Sequence, residues 1–296
     1  MHPLIKKARP TRSLGLVVAF FLFCGPFPAR AQAGLPLLVE ATVHYDDNLG
    51  RAADAVDKRG DTAVGLAVST DYTRAFARDW LLVAGLAARG EHWLAYERFG
   101  TADFTARTSL RRRFGLGPAA PALRLALAGG PRAAREDDRS GWTGLAVAEF
   151  THRPWSRLRY TLAFEGERID TRDTFYDISG RTFSADLTFL PDDRWALSTG
   201  FAHRFGNVLA FATPPPSWRF LSPYLSTVPI KRSTGFFDDP FVAYNLEAAT
   251  HEGSLQVSRA LDDDTRLSLG FTYADTRRDG LHYLNRLFSI GLARRF

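Results

Sequence analysis

Hydrophobic and polar residues alternate along most of this chain. Between residues 183 and 189, Phe183, Ala185, Leu187 and Phe189 interleave with Ser184, Asp186 and Thr188. Leu158, Tyr160, Leu162 and Phe164 stand in the same way against Arg159, Thr161, Ala163, Glu165 and Glu167. Trp195, Leu197, Thr199 and Phe201 stand against Ser198, Gly200, Ala202 and Arg204. Successive strand side chains point to opposite faces, so each segment predicts a strand with one apolar face and one small or polar face. Carried along the chain, the period predicts about twelve strands of roughly ten residues each. They fall at 38–46, 62–72, from Trp80 onward, 103–111, 123–128, 142–151, 158–167, 183–189, 195–204, within 241–261, at 267–274 and at 288–296. The third loses its alternation near Leu81 and Val83, and the sixth is apolar on both faces. In the tenth, Leu255 and Val257 fix one face only locally.

The connections sort by length. Those after even strands are short, near Arg74–Asp79, Gly115–Pro121, His152–Trp155, Pro191–Arg194 and Asp262–Asp264. Those after odd strands are longer, near Asn48–Asp61, Gly90–Ala102, Gly130–Gly141, Ile169–Arg181 and Gly206–Pro240. Asp275–Leu281 is a short exception. A soluble β-sandwich, the competing architecture, has no reason to segregate its loops in this way.

In the last strand, Phe288, Ile290, Leu292 and Phe296 share one face, opposite Ser289, Gly291, Ala293 and Arg295. This segment resembles the terminal strand of Gram-negative outer-membrane β-barrels, which commonly ends in Phe and is read by the barrel-insertion machinery. Arg294 departs from that pattern, at a depth where a long side chain can snorkel. The resemblance implies an all-β protein: a closed antiparallel up-and-down transmembrane β-barrel, in contact with outer-membrane lipid and lipopolysaccharide, with both termini periplasmic. No run of ~18 apolar residues follows residue 31, so a membrane-spanning form must close its sheet, because unpaired backbone groups cannot face lipid. Tyr45, Trp80, Trp155 and Trp195 fall near strand ends, where an interfacial aromatic girdle would place them. Tyr45-Asp46-Asp47-Asn48 also resembles the opening barrel strand of surface lipoprotein assembly modifiers over those few residues.

Residues 1–31 read as a secretory signal peptide. Lys6, Lys7, Arg9 and Arg12 precede the apolar stretch Leu14–Phe23, and Ala29-Arg30-Ala31 is an A-x-A cleavage site. The barrel domain is expected over 32–296. Residues 1–31 carry five positive residues, no acid and the single Cys24, so the formal charge of +6 falls to about +1 after cleavage. The basic balance is therefore no argument for nucleic acid.

Twelve strands fall between small barrels filled by side chains and wide aqueous channels. The polar faces carry Arg107, Arg111, Arg159, Glu165, Glu167, Asp186 and Arg204, which need water or partners. They predict a wet lumen that selects small hydrophilic solutes by size and charge. A salt-bridged plug is the structural alternative. The stretch Gly206–Pro240, with Arg219, Lys231, Arg232, Asp238 and Asp239, is the candidate constriction or lid. A non-conducting interaction barrel and a lipid-modifying enzyme are two further readings. The enzyme would need a placed His. His44 beside Asp46 and Asp47 is the one His with nearby acids at an external strand end, and no His-x-Ser pair occurs. No HExxH, Cys-based metal site or phosphate-binding glycine loop is present, so neither metal nor cofactor is expected.

Overall fold

The alternating segments become strands that pair in sequence order, each antiparallel to the next. The computed structural model describes residues 36–117, 119–213, 230–232, 236–237, 241–278 and 281–296. The predicted signal segment, along with Arg219, Asp238 and Asp239, lies outside the described residues. The strands are β1 (Leu37–Asp46), β2 (Asp61–Ala77), β3 (Trp80–Trp93), β4 (Thr101–Arg113), β5 (Ala122–Ala134), β6 (Gly141–Trp155) and β7 (Leu158–Thr171). They continue as β8 (Ile178–Phe189), β9 (Trp195–Ala212), β10 (Ile230–Arg232), β11 (Val242–Ala260), β12 (Thr265–Arg278) and β13 (Leu281–Arg295).

β13 pairs with β1 and β9 pairs with β11, which closes a ring of twelve strands. The short β10 stands outside that ring. It occupies the edge of β11 beyond the point where β12 ends, pairing Lys231 with Ala243. Closure leaves no open sheet edge along the wall. At the seam, Leu37 N–H donates to Phe296 O and Phe296 N–H donates to Leu37 O.

The start of β1, the end of β13 and the short turns lie at one rim, here the terminal end. Its turns are fixed by acids. Asp192 Oδ1 accepts from the backbone N–H of Arg194 and Trp195, both at 2.8 Å. Asp262 Oδ1 accepts from Asp264 N–H at 2.9 Å and Thr265 N–H at 2.7 Å. Asp side chains make such turns because their oxygens reach the backbone two residues on. Among the described residues, the opposite rim, the loop end, carries four short 3₁₀ turns, Ala55–Asp57, Glu97–Phe99, Asp137–Arg139 and Thr174–Tyr176.

The outer face is apolar and exposed. Leu66, Phe104, Leu127, Phe164, Phe183, Phe201, Leu255, Phe288 and Ile290 form a belt around the wall. An apolar band of this extent suits hydrocarbon rather than water. At the terminal end Arg112 lies over the Trp80 ring at 5.3 Å, Arg259 over Trp195 at 5.2 Å and Arg294 over Phe296 at 5.2 Å. Arg294 thus breaks the apolar pattern by covering the final ring.

The wall is longer than the periodicity alone indicates. β2 runs to Ala77, β6 runs through Trp155 so that Ser156 and Arg157 make the turn, and β12 reaches Arg278. The expected irregular stretch from Gly206 is also shorter: β9 stays a strand to Ala212. Ladder hydrogen bonds carry these segments past the point where their alternation weakens. The ambiguity of β6 has a physical cause. Leu145 and Val147 pair with Glu167 and Glu165 on the inward face, while Gly144, Ala146 and Ala148 lie outside.

Candidate functional site in the lumen and at its loop end

Inward residues meet their neighbours across the barrel's curvature. Asp71 on β2 and Arg107 on β4 are two strands apart. Arg107 Nε donates to Asp71 Oδ1 at 2.9 Å and its Nη2 to Oδ2 at 2.7 Å. Gly85 on β3 lies directly between them, and a Cβ there would overlap the Asp71 carboxylate and press on Arg107 Nε. The device recurs on the far side. Arg204 on β9 donates Nε to Glu167 Oε1 on β7 at 2.8 Å, above Gly180 of β8. Asp186 on β8 and Ser254 on β11 likewise face each other over Gly200 of β9. Glycine in the middle strand lets a charged pair span three strands. The signal for it is clearest at Gly85, a glycine in register with an acid on one side and a cation on the other.

The remaining selectivity candidates are also inward. Arg111 stands in register with Leu81 and with Arg124, and Arg124 Nη2 donates to Glu149 Oε2 at 2.6 Å. Glu165 lies between Val147 and Thr182, and Arg159 lies opposite Thr188. The structure gathers Arg107, Arg111 and Glu165, with Asp71 and Arg124, around a chamber of about 600 Å³. Leu81, Val83, Leu145 and Val147 line it too, which explains why β3 loses its alternation. Glu167 and Arg204 line a second chamber of about 410 Å³ nearer the loop end. The seven candidates therefore do not form one ring.

The loop end is organised by a hairpin. β9 leaves β8 at Gly206, its last paired residue, while β9 and β11 stay paired up to Ala212 and Val242. Gly206 has φ 157°, and a Cβ on it would collide with the Ser179 carbonyl and Gly180 Cα. Beyond this point the hairpin enters the lumen. Val208 and Ala248 on one face pack with Tyr283 of β13. Leu209, Phe211 and Ala243 on the other face join a buried cluster with Trp93, Phe99, Tyr176, Phe236, Phe237 and Phe241. The Phe211 ring lies 5.3 Å from Phe99 and 5.0 Å from Phe236, and Phe237 lies 4.7 Å from Tyr96. Interlocked rings of this kind contribute ~0.5–1.5 kcal/mol per pair beyond the area they bury.

Polar contacts fasten the hairpin to connections on several sides. Phe211 N–H donates to Gly50 O at 2.7 Å, and Thr213 N–H and Oγ1 donate to the Asp57 carboxylate. Asn245 Nδ2 donates to Phe175 O at 2.6 Å and Asp177 O at 3.0 Å. Lys231 Nζ reaches Asp138 and Asp173, each at 2.6 Å, and lies over the Tyr176 ring. Burial works against the Lys231 charge, but the two carboxylates win and hold its pKa above the usual lysine value. Of the five lid candidates, Lys231 thus ties β10 to the connections that carry Asp138 and Asp173. Arg232 belongs to β10, and its side chain is outside the described residues.

The Tyr45-Asp46-Asp47-Asn48 segment has a scaffolding part. Buried Asn48 donates to Ala52 O and Leu284 O, both at 2.9 Å, and accepts from Ala52 N–H. Asp46 Oδ1 accepts from Asn48 N–H and Asn285 Nδ2, and Asp47 Oδ1 from Arg286 N–H. His44 is placed beside a different acid. Its Nε2 lies 3.7 Å from Glu91 and its ring stands edge-on to Trp93. His152 Nδ1 lies 3.2 Å from Tyr160 Oη, and His251 Nδ1 lies 3.3 Å from His203 Nδ1.

No family model matches the sequence, and no curated protein matches it. Among solved structures, the chain is similar to an outer-membrane channel from Pseudomonas putida F1, at 10% identity over 92% of this chain and 99% of that one, with a TM-score of 0.57. A NanC porin structure aligns over 87% of this chain and all of its own, at 6% identity and a TM-score of 0.47. The first likeness shows the fold, a closed antiparallel β-barrel. The second adds no weight to it.

Proposed function

We propose that the protein is a narrow outer-membrane pore for small hydrophilic solutes, with both termini periplasmic and lipid and lipopolysaccharide against its outer belt. One observation carries this reading. Arg107, Arg111, Arg124 and Glu165 line an unfilled chamber of about 600 Å³ inside the wall. Charged groups around open space require water, and a barrel that served only as a scaffold would fill that space with side chains. The paired charges set the field that a passing solute meets, and the hairpin at the loop end limits its size. No covalent step is needed. Delivery to the membrane by the signal segment and insertion by the barrel machinery belong to the same proposal.

The test is single-channel current through the refolded protein in a planar bilayer. Discrete steps are expected, with reversal potentials that shift in opposite directions for Arg107→Glu and Glu165→Arg. A folded barrel that never conducts would overturn the pore.

A further inference from the structure

We infer that the chamber beneath the hairpin is a binding site for a small organic anion with an apolar, ring-sized body. The inference deepens the pore reading, on which it rests only for how the ligand arrives.

The chamber measures about 530 Å³, within the ~300–1,000 Å³ range of small-molecule sites. Its lining divides by chemistry. Trp93, Phe99 and Phe211 present ring edges and faces from the cluster above. Arg51, Arg89, Arg132 and Arg139 enter from the connections and strand ends around it. Two acids share the lining and both are engaged. Asp46 takes hydrogen bonds from Asn48 and Asn285, and Glu91 takes one from Trp93 Nε1 and sits within 3.7 Å of His44 and 3.5 Å of Arg89. Arg132 has Asp103 at 3.5 Å.

Arg51 and Arg139 differ from these. Among the described residues neither makes an ion pair with a carboxylate. Arg139 donates to the Arg98 carbonyl at 3.3 Å and lies over the Phe99 and Phe236 rings at 5.5 and 5.7 Å. Arg51 is exposed to the lumen and held at φ 53°, a left-handed conformation unusual for a residue with a side chain. That turn aims it at the junction of the two upper chambers, both of which it lines. Burial, then repulsion from Arg132, brings the Arg139 guanidinium down to about 10, with Arg51 a further repulsive neighbour. Crowded guanidinium groups beside aromatic rings fit a carboxylate on an apolar body. The fork geometry takes the two oxygens and the rings take the rest. A cation would face like charge, and a neutral sugar would leave the guanidinium charge unanswered.

The probe is benzoate, added to the refolded protein in detergent, with binding read by tryptophan fluorescence and by calorimetry. Benzylammonium and acetate are the controls. Saturable benzoate binding is expected, about tenfold or more tighter than either control. Arg51→Gln and Arg139→Gln should each weaken it by about tenfold, the effect of losing one charge-assisted hydrogen bond, while Arg111→Gln in the lower chamber leaves it unchanged. Heat-modifiable gel migration reports that each variant is folded. Because Arg51 is exposed whereas Arg139 packs on the Phe99 and Phe236 rings, the Arg51 variant guards against a folding defect at Arg139. Benzylammonium binding as well as benzoate, or folded variants binding as tightly as the parent, would overturn the site. Conduction without benzoate binding overturns the site and leaves the pore standing. Benzoate binding without conduction does the reverse.

Discussion

Asp71 and Arg107 join hands over Gly85, through two hydrogen bonds of 2.9 and 2.7 Å that cross an intervening strand. Both side chains remain about 40% exposed to the lumen. A partly solvated pair contributes no more than ~1 kcal/mol to stability, so its main consequence is the field it sets. Gly85→Leu would drive the two charges apart while leaving both residues in the sequence. The expected result is a barrel that still folds, with a lower melting temperature because the new Cβ also meets the Thr70 carbonyl, and with a changed conductance and reversal potential. Asp71→Asn should shift the reversal potential toward anions. Unchanged ion selectivity in both variants would remove this pair from the conduction path.

The hairpin is expected to limit conductance through its aromatic contacts. Phe211→Ala removes a buried ring that touches Phe99, Phe236 and Phe237. Its local cost is ~3 kcal/mol or more, and it falls on the hairpin rather than on the wall ladder. Single-channel conductance should rise, or closed intervals shorten, while global unfolding changes little. Gly206→Val should act in the same direction, because no Cβ fits where β9 leaves β8. Lower conductance in both would show that the hairpin holds the path open instead.

Lys231 holds its two carboxylates with a predictable pH dependence. Its pKa is raised in the folded protein by Asp138 and Asp173. A raised lysine contributes its full stabilisation below its ordinary value of ~10.4 and loses it as pH rises through the higher folded value. Closed-interval lengths should therefore stay flat from neutral pH to about 10 with respect to this group, and shorten above that. Lys231→Gln should shorten them across the whole range. Bilayer recordings at stepped pH decide it, and a variant identical to the parent at neutral pH would rule out a latching part for Lys231.

Orientation is open to a labelling test, since residues 32–296 contain no cysteine. Val56 at the loop end and Leu116 at the terminal end are both well exposed, at 79% and 76%. Val56→Cys should react with a membrane-impermeant maleimide on intact cells. Leu116→Cys should react only after the outer membrane is opened. The opposite pattern would invert the barrel.

The wall was legible in the sequence because its rule is local. A strand's two faces differ by one residue, and alternation such as that of Phe183–Phe189 reports them directly. Turn acids such as Asp262 are equally local. Legibility failed where a residue's environment departs from the two-face rule. Leu81 and Val83 are apolar and face the lumen, and Leu209 and Phe211 leave the wall's outer face for an internal cluster. Arg51, Arg132 and Arg139 come from separate connections and strand ends, so no spacing in the sequence brings them together.

By itself the sequence determined the strand period, the sorting of short and long connections and the charged character of the inner face, because each depends on near neighbours along the chain. The tertiary structure alone decided which charges pair over which glycine, where the β9–β11 hairpin turns inward, and which arginines share the chamber beneath it. Ring closure sets those relationships. Strand order, register and curvature place residues within a few ångströms across the lumen, and sequence separation carries no information about that distance.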